Sequence, residues 1–135
     1  MTLAISPAHQ AARLAGTLSF ADAGVGNSRI RVYATTQPAT GGDAAGAPLV
    51  EILLAKPCGT IAANVLTLIQ ADLSGDLIME TGTAIWARWI NGSDEMVADG
   101  SVSDGAGEGD FKLSGTSGTV LYAGAYALLG ECTLT

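Results

Sequence analysis

The residues able to do chemistry are few and mostly stand apart. His9 is the only histidine, so a Ser or Cys nucleophile has a single possible imidazole base. It falls on the polar side of a predicted N-terminal helix and reads as a solvated surface residue. Asp104-Gly105-Ala106-Gly107-Glu108-Gly109-Asp110 echoes calcium-binding Gly-Asp repeats, whose glycines let carbonyls and carboxylates converge on one hard cation. The motif occurs once, without the repetition that makes such sites strong, and reads as a flexible turn. Asp94, Glu95 and Asp99 could supply a pair of carboxylates for sugar hydrolysis, with Glu108 as a further acid. They lie in turns and along an outward strand face, where carboxylates mostly serve solvation. Cys58 and Cys132 are too far apart in sequence for a zinc ribbon or a CxxC redox pair and read as buried thiols. Neither Lys56 nor Lys112 sits in a phosphate-loop context, and no GxGxxG opens a helix. Asn91-Gly92-Ser93 spells a glycosylation sequon but reads as a tight turn. The expectation is a non-enzymatic protein with no catalytic residues, no metal and no cofactor, whose function lies in its surface.

Composition points the same way. A chain of 135 residues is one domain's worth. We read 1–135 as a single domain, with 1–24 a helical segment packed on it or reaching from it. Hydrophobic residues make up 48% while charged residues make up only 14%, and mean hydropathy is +0.36. That excludes intrinsic disorder and predicts a charge-poor exterior hidden in part against copies of itself or a partner. The formal net charge is -7, and the six cations are scattered. No basic footprint for nucleic acid is visible. The N-terminal stretch lacks a basic n-region and a long apolar h-region, and no apolar run reaches the roughly 20 residues of a membrane crossing. A soluble protein made in a cytoplasm is expected.

The elements that must position a binding surface are mainly strands. Ser6 before Pro7 is an N-cap followed by proline at the first helical position, and Ala11, Leu14, Ala15 and Leu18 then fall at helical spacing. Ala23 to Asn27 form the stop. Beyond Arg29, turn clusters recur every 8 to 14 residues, the signature of a sandwich or barrel. Ile30, Val32 and Ala34 alternate with Arg29, Arg31 and Tyr33, and Gln37 to Ala47 reads as a long surface loop. Strands are predicted at 49–55, 61–70 and 77–80. A hairpin follows over Ala84 to Val102, turning at Asn91-Gly92, with Ile85, Ala87 and Trp89 inward. After the loop Ser103 to Asp110 come a short strand Phe111 to Leu113, a turn at Gly115 to Gly118, and one or two closing strands over Val120 to Leu134. The sum is an all-β, jelly-roll-like antiparallel sandwich of about eight strands with a short N-terminal helix; immunoglobulin-like sandwiches and open barrels are the alternatives.

Trp86 and Trp89, three apart in one strand, point to opposite sides. The outer face thus carries Arg31, Tyr33, Trp86 and Arg88, the chemistry of an interface anchor. The competing reading has Trp86 packed beneath a loop or the helix.

Arg29-Ile30-Arg31-Val32-Tyr33, Thr36-Gln37-Pro38-Ala39-Thr40, Gly46-Ala47-Pro48-Leu49-Val50, Ile85-Trp86-Ala87-Arg88-Trp89 and Ala98-Asp99-Gly100-Ser101-Val102 follow one another behind the Ala-rich helix. In that order, from about residue 6 to the end, the chain resembles the small jelly-roll capsid cement, or decoration, proteins of tailed phages. The resemblance implies a virion subunit on the outer face of an icosahedral shell, made in a host bacterial cytoplasm. It further implies that the subunit pairs with itself as a homodimer and ties neighbouring major capsid protein subunits together. Partners would then be the major capsid protein and a second copy, with no nucleic acid and no membrane. Contact residues are not marked by any motif of the group; Arg31, Tyr33, Trp86 and Arg88 are expected from the face analysis, with Gln37 to Ala47 and the helix as reaching elements. The alternatives are a tail or baseplate carbohydrate-binding module with Trp86 stacking on a sugar and, last, a small hydrolase using Asp94, Asp99 or Glu108.

Overall fold

A computed structural model describes residues 3–135. Helix α1 (Pro7–Ala21) starts where the sequence predicts, with Ser6 Oγ accepting the His9 N–H at 3.1 Å. Leu14, Leu18 and Ala21 face the core, but Ala15, expected on that stripe, is exposed. At the far end Asp22 Oδ1 accepts the Cys58 N–H at 2.9 Å, and Lys56 Nζ donates to the carbonyls of Gly24 and Gly26. These bonds hold the helix against the sheet instead of letting it reach outward.

The rest is β: β1 (Arg29–Tyr33), β2 (Val50–Ala62), β3 (Val65–Gln70), β4 (Asp76–Leu77), β5 (Gly82–Thr83), β6 (Trp86–Ile90), β7 (Met96–Asp104), β8 (Phe111–Ser114), β9 (Val120–Leu121), β10 (Tyr126–Leu129) and β11 (Thr133–Leu134). Nine strands form one sheet in the order β11-β3-β2-β1-β6-β7-β8-β10-β4, and β5 pairs with β9 separately. The sheet curls until β4 and β10 pack over β2 and β3, so the fold is an all-β sandwich with a short N-terminal helix. Buried Gln70 helps close the curl: its Nε2 donates to Asp76 Oδ2 at 2.7 Å and to the Ala127 carbonyl at 3.1 Å, while its Oε1 accepts the Leu129 N–H at 2.8 Å. Ile30, Val32, Val50, Ile52, Leu54, Leu66, Ala87, Trp89, Phe111 and Leu113 fill the interior with α1 across it. Trp89 Nε1 donates to Ser28 Oγ at 2.6 Å, which satisfies its one polar atom inside the core.

Several local expectations change. The predicted strand at 49–55 runs on through Ala62, and the predicted element 61–70 is split by a tight turn at Ala63 and Asn64, both at positive φ, as a two-residue hairpin turn requires. At the later hairpin Asn91-Gly92 does not supply the left-handed residues; Asp94 does, at φ 63°. Asn91 is instead buried, its Oδ1 accepting the N–H groups of Ser93 and Glu95 and its Nδ2 donating to the Phe20 carbonyl. Gly92 is required for contact, since a Cβ there would lie 2.1 Å from the Gly26 carbonyl oxygen. Ile85 is exposed ahead of β6, not inward.

The sheet is antiparallel except where β7 and β8 run parallel, Val102 opposite Phe111. Such a pair usually needs a crossover of a dozen or more residues. Here Gly107 to Asp110 folds tightly back along β7: Ser103 Oγ accepts the Gly109 N–H, Asp110 Oδ2 accepts the Ser101 N–H, and a Cβ on Gly109 would sit 2.5 Å from Ser103 N. Asp104 anchors the turn, its Oδ1 accepting the N–H groups of Ala106 and Gly107 and its Oδ2 that of Gly118 at 2.7 Å. These bonds, Gly118 foremost, hold the Asp104 carboxyl below its ordinary pKa of 3.8. A carboxyl depressed by folding adds stability above its unfolded pKa and loses it as pH falls through the folded value. Hydrogen-exchange protection of the Gly118 amide should therefore be full at neutral pH and fall below about pH 4, whereas Asp104→Ala should abolish it at every pH.

Candidate partner-binding face

The four expected contact residues lie together on the outer face of β1 and β6. Arg31 is opposite Arg88, and Tyr33 is opposite Trp86. On either side Glu51 of β2 pairs with Arg31 and Asp99 of β7 with Arg88, so one row across four strands reads acid, base, base, acid. Arg31 Nε donates to Glu51 Oε2 at 2.8 Å, and Arg29 donates to Asp94 and to Glu51. The bond to Glu51 raises the Arg31 pKa further, and that to Asp99 does the same for Arg88, so both guanidiniums stay charged.

The structure corrects the expectation that this face is open. The chain from Ala34 to Pro48, which contains the predicted loop, folds back over it as a strap. Trp86 is 0% exposed and Tyr33 5%. Their rings stack at 4.7 Å between centroids and 16° between planes, with Arg88 Cζ 5.3 Å from the Trp86 centroid. Arg88 holds the strap: Nε donates to Asp99 Oδ1 at 2.7 Å, and Nη2 donates to Asp99 Oδ2 at 3.0 Å and to the Gly42 carbonyl at 2.6 Å. Asp99 Oδ2 also accepts the Gly41 N–H at 3.3 Å. With side-chain exposures of 14% for Arg88 and 2% for Asp99, the pair is buried and bidentate. Of the four residues, Arg31 alone keeps much of its side chain, 32%, in water. Trp86 packs under a loop, as the competing reading had it.

The other candidates do not converge on a chemical centre. His9 is exposed on α1, Asp94 pairs with Arg29 at the hairpin tip, Asp99 lies under the strap, and Glu108 sits in the exposed turn. Asp104 and Asp110 spend carboxylate oxygens on backbone N–H groups, and among the described residues no three His, Cys, Asp or Glu side chains are placed to hold a metal. Cys58 and Cys132 are free and buried; burial, and then the Asp22 charge, push the Cys58 thiol up to about 12. No described helix is long and apolar enough to cross a membrane.

What composition announced without locating is a strip of exposed apolar side chains at one corner. Leu77 and Tyr126 stand directly opposite each other on β4 and β10, 47% and 64% exposed. Leu73 (82%), Met79 (67%) and Tyr122 (64%) lie on the adjoining turns. The corner is held by the Ile78 N–H bonding the Ala125 carbonyl, the Gly124 N–H bonding the Ile78 carbonyl, and the Met79 N–H bonding the Leu49 carbonyl. Aromatic rings and Met at a sheet edge are the side chains enriched in protein interfaces. Comparison with protein-family models, curated proteins and solved structures returns no match.

Asp99→Ala should leave the Arg88 guanidinium buried with one strap carbonyl for a partner. A loss of roughly 3 kcal/mol in urea unfolding is expected, with a red shift of native tryptophan emission as the strap lifts from Trp86 and early protease cleavage between Ala34 and Pro48. A variant that keeps wild-type stability and emission would show that the pair does not hold the strap.

Proposed function

We propose that the chain is a capsid cement protein: a structural virion protein that binds the outer surface of an icosahedral phage head, pairs with itself and ties neighbouring major capsid protein subunits together. The observation that carries this reading is the exposed apolar strip on a sandwich whose aromatic stack and buried ion pair are already closed in by its own chain. A domain that has spent its best anchor residues internally and still leaves Leu73, Leu77, Met79, Tyr122 and Tyr126 in water is arranged for surface-to-surface binding. The resemblance of residues 6–135 to cement proteins supplies the kind of partner. The net charge of -7 favours the outside of a DNA-filled shell, where packaged phosphates repel it least. Cementing requires no bond to break: each contact is modest, and a copy bridging two capsomers must leave both before they separate. Binding the assembled state alone raises the shell's resistance with occupancy.

One feature favours the second reading, a tail or baseplate carbohydrate-binding module: Tyr122 and Tyr126 present rings that a sugar face could stack on. Co-sedimentation with heads of its phage that lack the protein separates the two. Saturation at a fixed ratio to the major capsid protein, with rupture on heating moved to higher temperature, is the expected result; protein left in the supernatant together with reproducible signals on a glycan array would replace cementing by sugar binding.

A further inference from the structure

We infer that the strip around Leu77 and Tyr126 takes a protein surface with an apolar centre and a rim of Lys and Arg, and that it is not the surface on which two copies of this chain pair. The inference rests on the cement reading and names the chemistry of the partner face. Two observations carry it, area and charge.

Leu73, Leu77, Met79, Tyr122 and Tyr126 are each between 47% and 82% exposed, which together leaves on the order of several hundred Å² in water, the size of patches that mark interaction sites. That approaches the roughly 800 Å² that one partner contributes to a standard stable interface. The strip is therefore large enough to be the centre of a contact without help from the strapped face.

The charge next to it in the chain is acidic. Exposed Asp72 and Glu80 bracket Leu73, Leu77 and Met79 in the chain, and no Lys, Arg or His occurs from Pro57 to Ala87 or from Leu113 to Thr135; Lys112 of β8 lies beyond the Ser114–Leu128 pair, away from Tyr126. Asp72 caps the Ser74 N–H and is exposed beside Leu73, as Glu80 is beside Met79, whereas Asp76 shares the inward face with Ala127 and bonds buried Gln70. A two-fold pairing would set this patch against itself, bringing Asp72 and Glu80 of each copy together. Like charges juxtaposed at an interface cost several kcal/mol and reject that partner, while a basic rim is attracted and steered in. The outer row of β2, β1, β6 and β7 differs in kind, because there every arginine already has a carboxylate beside it.

The test uses the full chain with Tyr122→Ser and Tyr126→Ser combined, and separately Glu80→Lys, each checked for native circular dichroism and melting. In co-sedimentation with unoccupied heads, wild-type affinity should fall as salt rises. The double serine variant should bind at least tenfold more weakly, and Glu80→Lys should bind several-fold more weakly with a flatter salt dependence. Sedimentation velocity of the free protein should give the same oligomeric state for wild type and both variants. If wild type binds and the folded variants bind equally well, the strip is not the contact face. If the serine substitutions or Glu80→Lys change self-association, the strip is a copy-to-copy surface and the inference is overturned. If wild type does not bind heads at all, cementing fails, and an unchanged oligomeric state in the variants would still uphold exclusion of a second copy.

Discussion

A tryptophan on the side of a sheet turned away from the main core must be covered, and the cover of Trp86 decides how the outer half of this molecule is built. Leaving the indole in water would forfeit the 1.5–3 kcal/mol or so that burial of a large side chain contributes. Covering it with the Gly- and Ala-rich segment Ala34 to Pro48 places backbone polar groups over an apolar ring, where each needs a partner. Arg88 and Asp99 resolve that conflict: the guanidinium takes the Gly42 carbonyl, the carboxylate takes the Gly41 N–H, and each neutralises the other. Because the pair is buried, neither member can be removed alone without stranding the other.

With that lock closed, β1 and β6 at the centre of the sheet carry packed side chains on both faces: Ile30, Val32, Ala87 and Trp89 inward, Tyr33 and Trp86 under the strap. The aromatic part of that outer face is thereby closed to other molecules, while Arg31 and Glu51 on its flank and the periphery of the sheet stay in water. The two ends are blunted by short strands, β11 and β4, as sheet edges in soluble proteins tend to be. At the β4 end the chain leaves Leu73, Leu77, Met79, Tyr122 and Tyr126 in water near the carboxylates of Asp72 and Glu80. The cement function proposed above would use this division, a closed centre and an apolar margin.

Much of the scaffold was legible because its signals are local. Ser6-Pro7 fixes the helix start by capping and by the set φ of proline, and the alternation of Arg29 to Tyr33 fixes which side chains share a face. Parity, however, gives direction and not exposure. Trp86 and Tyr33 point outward as expected and are still buried, because their cover comes from residues that show no periodicity. The positive φ values at Ala63 and Asn64 had no glycine to announce them, and the parallel pairing of β7 with β8 depends on Ser101, Ser103 and Asp104 side chains bonding a loop backbone several residues away. The strip escaped sequence reading for a related reason. Leu77 and Tyr126 are ordinary strand residues until the curl of the sheet sets them opposite one another at its margin, so their exposure is a property of the closed fold.

Hydrogen–deuterium exchange of the protein, free and bound to heads, tests most directly whether the strapped face is internal and the β4–β10 corner is the contact. Backbone amides in 72–80 and 119–127 should gain protection on binding, while those in 34–48 exchange at the same rate in both states. Protection appearing in the strap, with the corner unchanged, would contradict it and return the interface to the face of Arg31 and Arg88.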